Sequence, residues 1–125
     1  MIGVLGGSFD PIHFGHINPL IEVSEKFNLS EIKLIPTYKS AVGKVFYANP
    51  EHRMNMVSII AASNSNNFVA EDLEIRRKGV SYTYDTINIL KERHKKDKFC
   101  LIIGLDVFLK IESWYNYKEI LLKDS

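Results

Sequence analysis

Short apolar runs alternate with amphipathic stretches along this chain, and this alternation restricts its fold more than any other feature. The apolar runs predict buried strands at 2–5, 31–35, 68–70 and 99–103. Helical periodicity predicts helices at 15–27, from Pro50 to the tract at 63–67, from 81–83 to about His94, and once or twice after 105. Strands that alternate with helices form parallel sheets. We therefore expect an α/β fold, a Rossmann-like doubly wound parallel sheet with helices on both faces.

The same patterns predict which residues of the helices face the core. The apolar stripe of the first helix is expected to comprise Ile17, Leu20, Ile21, Val23 and Phe27. The third helix is expected to begin with Ser81 or Thr83 as its N-cap. Its inward residues are expected to be Thr86, Ile87, Ile89 and Leu90. The segments 37–49 and 71–81 have no clear period, and we predict a loop and a partly extended connection there.

The composition fits one compact domain. The chain has 125 residues, 46% of them hydrophobic, and 16 Lys+Arg against 15 Asp+Glu, so no basic field points to nucleic acid. Its one cysteine, Cys100, excludes an internal disulfide and a Cys-based zinc cage. No apolar run is long enough to cross a bilayer, and the amino terminus does not resemble a signal peptide. We therefore expect a cytoplasmic protein with no membrane or nucleic-acid partner.

The segment GGSFDPIHFGH, residues 6–16, joins the first predicted strand to the first predicted helix. In parallel sheets, ligands bind at the carboxyl ends of the strands, where this segment lies. Gly6 and Gly7 lack a Cβ, so a bulky anion can approach their backbone, and the N-terminus of the next helix attracts negative charge. His13 and His16 share a face if both belong to the first helical turn, and their imidazoles add donors. The pattern predicts a polyphosphate site.

Other ligands fit this segment less well. It matches neither G-x-G-x-x-G nor G-x-x-x-x-G-K-[ST], so neither a dinucleotide dehydrogenase nor a P-loop enzyme is indicated. Zinc held by His13 and His16 is disfavoured, because H-x-x-H lacks the spacing and the neighbouring glutamate of zinc proteases. We therefore predict no protein-held metal. The alternative interpretation is an ordinary glycine turn followed by two histidines of the surface or the core.

The stretch GSFDPIHFGH resembles the G-[ST]-F-D-P-x-H-x-G-H signature of the nucleotidyltransferase superfamily that carries an H-x-G-H motif. The resemblance implies transfer of a nucleotidyl group from ATP or CTP to a phosphate, with release of pyrophosphate. Mg²⁺ held mainly by phosphate oxygens is expected with the nucleotide. His13 and His16 would bind the triphosphate and stabilise charge at the α-phosphate. The nucleotide loop would comprise Gly6, Gly7, Ser8, Phe9 and Gly15.

Three further segments resemble bacterial nicotinate-nucleotide adenylyltransferases, namely PEHRMNMV, EDLEIRRKGVSYTYDTINIL and FCLIIGLDVFLKIESWYNYKEIL. The implied reaction transfers AMP from ATP to nicotinate mononucleotide and gives deamido-NAD and pyrophosphate, a step of NAD biosynthesis. By this resemblance Gly104 and Asp106 contact the nucleotide, and Trp114 stacks on the pyridine ring. The other residues implied for the mononucleotide are Ser81, Tyr82 and Thr83.

Taken alone, these residues have plainer interpretations. Ser81 and Thr83 are then helix caps, and Trp114 is a core or surface aromatic residue. The basic cluster at 76–78 is interpreted as solvated, and we place it outside the site. The site assignment for the second half of the chain therefore depends on the resemblance.

The chain departs from the family pattern in two places. The family carries P-P-H-[KR] after the second strand, whereas PTYKSAVGK stands here, so Lys44 is the proposed basic residue and Lys39 its rival. The family also continues into another strand and an I-S-[ST]-x-x-[IL]-R motif, which residues 1–125 do not contain. We expect one nucleotidyltransferase domain that is incomplete at its C-terminal end and lacks the last strand and helix. A truncated form, a partner that completes the site, or lost activity would each explain this, and an uncovered sheet edge would favour homo-oligomers.

Two other functions stay open at this point. One is another H-x-G-H transferase, such as a phosphopantetheine adenylyltransferase or a cytidylyltransferase. The S-Y-T-x-x-T segment and Trp114 argue against it. The other is a non-catalytic module that binds nucleotides or forms oligomers, which the missing C-terminal motif suggests.

Overall fold

The computed structural model describes residues 1–7, 9, 14–39, 46, 48–63 and 67–103, except the side chains of residues 14–16. In chain order these residues form β1 (Ile2–Gly7), α1 (Phe14–Lys26), β2 (Glu31–Pro36), α2 (Pro50–Ser63), β3 (Phe68–Ala70), α3 (Leu73–Arg77), α4 (Thr83–Arg93) and β4 (Phe99–Leu101). The predicted helices after 105 and most of the predicted loop at 37–49 lie outside the described residues.

The four described strands form a parallel sheet in the order β3-β2-β1-β4. Val4 in β1 pairs with Lys33 in β2 on one side and with Leu101 in β4 on the other. The chain first moves outward from β1 to β3 and then returns to place β4 on the opposite side of β1. The strand order therefore reverses beside β1, and the rule for open parallel sheets predicts a crevice at the carboxyl end of that strand.

Apolar side chains cover both faces of the sheet, because neighbouring residues of a strand point to opposite sides. Leu34 faces a cluster shared with α1 and α2, whereas Ile35 faces a cluster shared with α3 and α4. The first cluster consists of Phe9, Ile17, Leu20, Leu29, Ile32, Leu34, Val57, Ala61 and Phe68. The second consists of Ile2, Val4, Ile35, Leu73, Leu90 and Phe99. Helices on both faces of a parallel sheet confirm the predicted doubly wound fold.

The elements agree closely with the sequence prediction, with two corrections to the buried face of α1 and to the segment after β3. Phe27 is 56% exposed rather than part of the apolar stripe. The helix ends before it at Lys26, and Asn28 adopts a positive φ of 51° that turns the chain away. Residues 73–77 form the short helix α3 rather than an extended connection, because burial of Leu73 and Glu74 holds a helix too short to be stable alone.

The predicted N-cap of α4 is also wrong. Tyr82 occupies the N-cap position in an extended conformation, and no side chain caps the helix there. Thr83 is already the first helical residue, so its hydroxyl cannot act as an N-cap. The inward face of α4 is as predicted, with Thr86, Ile87 and Leu90 buried. Within the described part of the chain, no helix has the length and hydropathy needed to cross a membrane.

Candidate functional site

The glycine pair lies at the carboxyl end of β1, beside the last residues of β2. Among the described residues, a Cβ added to Gly6 would meet only the carbonyl oxygen of Ile35, at 3.8 Å. A Cβ added to Gly7 would come no closer than 3.5 Å to the ring of Phe9. Both separations are ordinary van der Waals contacts, and neither glycine has a positive φ. Among the described residues, the protein packing therefore does not require glycine at either position, and it leaves room for a ligand atom beside Gly6.

Phe9, two residues after the glycine pair, is buried in the core. Its ring is 2% exposed and packs with Ile17 and Leu20 of α1. Its backbone has φ 45°, a left-handed conformation that a bulky residue adopts only under structural constraint. A buried ring cannot reach a ligand in the crevice, so any contribution of Phe9 to ligand binding comes from its main chain.

Helix α1 begins at Phe14, which places Gly15 and His16 in its first turn. The helix follows β1 directly, so its free N–H groups and the positive end of its dipole lie at the carboxyl edge of the sheet. An anion at this edge would receive hydrogen bonds from those groups. The other histidine of the motif, His13, and the neighbouring Ser8 lie outside the described residues.

Residues 37–39, which follow β2, connect the glycine pair to the start of α4. The N–H of Thr37 donates to the carbonyl oxygen of Gly7 at 2.9 Å. The N–H of Tyr38 donates to Oγ of Ser81 at 3.0 Å, and the N–H of Ser81 donates to the carbonyl oxygen of Lys39 at 2.9 Å. Two segments that are far apart in sequence therefore meet at one edge of the sheet. The Ser81 hydroxyl serves this tertiary contact, not a helix cap.

The predicted substrate segment continues from Ser81 into α4, and both Tyr82 and Thr83 are half-buried. Lys39 is exposed at the same edge, so it stays a candidate for the basic residue that contacts the phosphates. The remaining predicted site residues lie outside the described ranges: Ser8, His13, Lys44, Gly104, Asp106 and Trp114.

The sequence patterns do not predict the buried polar cluster that lies next to this segment. Glu74 is 5% exposed, and its Oε2 accepts a hydrogen bond from Oγ1 of Thr86 at 2.7 Å. Nη2 of Arg77 donates to the same Thr86 oxygen at 3.2 Å. Burial raises the pKa of Glu74, against the opposing effects of the Thr86 hydrogen bond, the Arg77 charge and a hydrogen bond from Ser81. Arg77 is half-buried, so the interpretation of residues 76–78 as a solvated cluster is wrong for this residue.

A second buried charged residue, Arg53 of α2, was also missed. It is fully buried, and its Nε donates to the carbonyl oxygen of Ala48 at 3.1 Å. Its guanidinium lies 4.2 Å from the ring centroid of Phe46, in cation–π contact. Arg53 thus holds Phe46 and Ala48, which precede α2, against that helix. The spacing of charged and apolar residues within α2 does not predict the burial of Arg53, because its partners Ala48 and Phe46 precede the helix.

The described residues contain no group of three or more His, Cys, Asp and Glu side chains arranged to hold a metal ion. A metal that enters with a polyphosphate needs no such group, since phosphate oxygens and water complete most of its coordination.

Comparison with known proteins agrees with this geometry. The cytidylyltransferase-like family matches residues 4–124. The "probable nicotinate-nucleotide adenylyltransferase" of Aquifex aeolicus is 42% identical over 118 residues, which are 94% of this chain and 70% of that protein. A protein of the same name from Methylococcus capsulatus is 33% identical over 120 residues, 96% of this chain and 57% of its own length.

A solved structure shares the fold. The nicotinic acid mononucleotide adenylyltransferase of Plasmodium falciparum, complexed with NaAD, has a TM-score of 0.81 and 28% identity, and covers 95% of this chain. This chain spans 58% of that protein. The same plasmodial protein complexed with APC has a TM-score of 0.73.

The matched family and the solved structure that shares this parallel sheet define the class of protein, a nucleotidyltransferase. The chain belongs to the cytidylyltransferase-like family and, within it, to the nicotinate-nucleotide adenylyltransferases. The resemblance first seen in GSFDPIHFGH is thereby confirmed. Members of this family typically need a divalent metal ion.

Proposed function

We propose that the protein transfers AMP from ATP to nicotinate mononucleotide and forms deamido-NAD and pyrophosphate. The observation that carries this proposal is the position of the Gly6-Gly7 backbone, at the carboxyl end of β1, where hydrogen bonds through residues 37–39 join it to Ser81. Among the described residues, the packing around Gly6 leaves room for a ligand atom. One edge of the sheet thus offers an anion cradle and, next to it, a segment for a second substrate.

The chemistry needs no covalent enzyme intermediate. A phosphate oxygen of nicotinate mononucleotide attacks the α-phosphorus of ATP in line, a new P–O bond forms, and the bond from the α-phosphorus to the bridging oxygen breaks. Pyrophosphate leaves with both electrons of that bond. The protein contributes by placing the two reactants together and by stabilising negative charge that develops on the α-phosphate.

On the ATP side, the proposed roles follow the motif. His13 and His16 donate to the triphosphate, and the free N–H groups of the first turn of α1 add to the cradle. Lys44, or Lys39 in its place, neutralises phosphate charge. The other residues proposed for ATP are Gly6, Gly7, Ser8, Phe9, Gly15, Gly104 and Asp106.

On the other side, we propose that nicotinate mononucleotide is bound by Ser81, Tyr82, Thr83 and Trp114. Ser81 through Thr83 lie at the edge where the attacking phosphate must meet ATP. Trp114 would stack on the pyridine ring, since a flat aromatic side chain favours an aromatic heterocycle. The NaAD complex of the plasmodial relative supports a site that holds both halves of such a dinucleotide.

The divalent ion is proposed to be Mg²⁺. It supplies charge neutralisation on the phosphates when bound, and ATP carries it into the site. The residues of this chain then orient the phosphate chain through main-chain N–H groups and imidazole donors. We further propose that residues 1–125 belong to one nucleotidyltransferase domain, that the protein works in the cytoplasm, and that it forms homo-oligomers.

Pyrophosphate release tests this proposal. The full-length protein, with ATP, Mg²⁺ and nicotinate mononucleotide, should release pyrophosphate and form deamido-NAD. His16→Ala should lower kcat by about 10²–10³-fold, as expected for the loss of one charge-stabilising donor. His52→Ala is the matched control, because His52 is an exposed histidine of α2 and should leave kcat unchanged. No deamido-NAD from the wild type, or transfer only to phosphopantetheine or a CTP-dependent substrate, would contradict the proposal.

A further inference from the structure

The buried carboxyl of Glu74 connects three parts of the fold. It lies in α3, and it accepts a hydrogen bond from the Thr86 hydroxyl in the first turns of α4 at 2.7 Å. Thr86 is 2% exposed and in turn accepts a hydrogen bond from Nη2 of Arg77, at 3.2 Å. Three side chains from two helices therefore form one hydrogen-bonded chain, in which Glu74 and Thr86 are buried and Arg77 is half-buried.

This chain extends to the predicted substrate segment through Ser81. The main-chain N–H of Thr86 donates to the carbonyl oxygen of Tyr82 at 3.2 Å, and the Ser81 oxygen accepts the N–H of Tyr38 at 3.0 Å. Ser81 is also close enough to the Glu74 carboxyl to lower its pKa. The main-chain N–H of Ser81 is held by the carbonyl oxygen of Lys39 at 2.9 Å. With both its hydroxyl and its main chain held, Ser81 has a fixed orientation at the edge of the sheet.

Packing alone does not explain a carboxyl in this position. The apolar contact between α3 and α4 is already provided by Leu73 and Leu90 in one cluster. A buried carboxyl loses its hydration, and Nη1 of Arg77 is buried with no hydrogen-bond partner among the described residues. A buried polar network of this kind adds little stability over an apolar replacement, but it imposes one geometry on its members.

The network also lies apart from the proposed ATP cradle. Gly6 and Gly7 lie at the end of β1, and the side chains of α1 pack on the cluster that includes Leu34. Helices α3 and α4 pack on the opposite face of the sheet, in the cluster that includes Ile35. A change in the Glu74 network therefore reaches residues 81–83 before it reaches the glycine pair, and its contact with Lys39 is through the main-chain carbonyl oxygen rather than the charged amine.

We propose that Glu74, with Thr86 and Arg77, is a positioning residue that fixes the 81–83 segment against residues 37–39 and thereby sets the affinity for nicotinate mononucleotide. This inference rests on the proposed function. It predicts that the network controls the KM of one substrate, whereas the KM of ATP and the kcat of adenylyl transfer are nearly independent of it.

Steady-state kinetics of four variants of the full-length protein test the proposal. Glu74→Gln keeps the shape of the side chain but cannot accept hydrogen bonds at both oxygens. Thr86→Val keeps the volume and removes the hydroxyl, while Thr86→Ser keeps the hydroxyl. Glu92→Gln is the matched control, since Glu92 is an exposed residue of α4.

Glu74→Gln and Thr86→Val should each raise the KM for nicotinate mononucleotide about tenfold, the effect expected when a buried polar group loses its partner. Thr86→Ser should restore the wild-type KM, and the KM for ATP and kcat should stay within about twofold in every variant. A merely structural role would lower kcat and raise both KM values together. That pattern, or an unchanged KM for nicotinate mononucleotide in Thr86→Val, would overturn the inference.

The two proposals fail in different ways. If the wild type forms no deamido-NAD, the proposed function is wrong and this inference falls with it. If the wild type is active and the KM for nicotinate mononucleotide does not respond to Thr86→Val, only the role of Glu74 is wrong. Should Glu74→Gln fail to fold, the comparison of Thr86→Val with Thr86→Ser still decides the question.

Discussion

Alanine at Gly6 should impair ATP binding without harming the fold. The added Cβ would lie 3.8 Å from the carbonyl oxygen of Ile35 and would have no closer described neighbour. Because Gly6 has no positive φ, alanine can adopt its conformation. The unfolded chain of the variant has less conformational freedom, so the free energy of unfolding should rise by about 0.4–1 kcal/mol.

The same Cβ would occupy the space in which we place the phosphates. A methyl group there keeps a phosphate oxygen away from the backbone N–H groups, and a displacement of about 1 Å of a reacting group can reduce the rate about 10²-fold. We therefore expect kcat/KM for ATP to fall by about two orders of magnitude. Steady-state kinetics and urea denaturation of the same preparation measure the two effects separately.

Gly3→Ala is the matched control for this prediction. Its Cβ would meet Cδ1 of Leu29 at 2.9 Å and Cδ1 of Ile102 at 3.0 Å, inside the core. Since those atoms are the ends of flexible side chains, the cost should be near the lower end of overpacking, about 1 kcal/mol. The two variants should show opposite patterns: Gly6→Ala folded but poorly active, and Gly3→Ala less stable but active where folded. Wild-type kcat/KM for ATP in Gly6→Ala would refute the assignment of the glycine pair to the phosphates.

Three further predictions concern a core leucine, a buried carboxyl and an exposed turn glycine. Leu34→Ala should lower the free energy of unfolding by about 2–5 kcal/mol, because Leu34 is fully buried beneath α1 and α2. Urea denaturation measures this loss, and a loss below about 1 kcal/mol would contradict the described packing. Burial raises the pKa of Glu74 above its usual 4.5, so the carboxyl stabilises the fold fully below pH 4.5 and loses that contribution as the pH rises through its raised pKa. Urea denaturation across pH should therefore show Glu74→Gln gaining on the wild type as the pH increases from 4.5, whereas a constant difference would show that Glu74 does not titrate differently in the folded state. Gly79→Ala should lower the free energy of unfolding by about 1 kcal/mol, because Gly79 has a φ of 73°, which alanine adopts only at a cost. The new Cβ would meet no described atom within 4 Å, so kcat should be unchanged. A variant as stable as the wild type would contradict this backbone conformation.

The alternation of apolar runs and helical stretches was sufficient to predict the sheet and its two covered faces. Strand β3 was predicted residue for residue, and α1 within one residue at each end. These elements follow from local periodicity, which a sequence displays directly. Helix α3 does not, because five residues cannot form a stable helix without tertiary contacts. Leu73 finds those contacts in the cluster that includes Ile35 of β2 and Leu90 of α4.

The candidate site was predictable only in part. The position of Gly6 and Gly7 at the carboxyl end of a strand follows from the motif and the rule for parallel sheets. The contact of Ser81 with Tyr38 and Lys39 spans more than 40 residues, and no local pattern signals it. For the same reason, the sequence pattern predicts a helix cap at Ser81, since a hydroxyl before a helix most often acts as one.

Burial of charged residues was the least predictable feature. Arg53 and Glu74 stand in helices whose polar positions normally face water. Arg53 is buried because its guanidinium donates to the carbonyl oxygen of Ala48 and lies over the ring of Phe46. Glu74 is buried because its carboxyl accepts a hydrogen bond from Thr86. A single sequence does not show which charged residue will find such partners.

The central claim is that ATP and nicotinate mononucleotide meet at the carboxyl edge of this sheet and exchange an adenylyl group. The most direct measurement follows the label when the full-length protein reacts with nicotinate mononucleotide and ATP labelled at its α-phosphorus. The proposal predicts that the label appears in deamido-NAD and that unlabelled pyrophosphate is released in equal amount. Label that remains in ATP, or that appears in free AMP while nicotinate mononucleotide is unchanged, would contradict it.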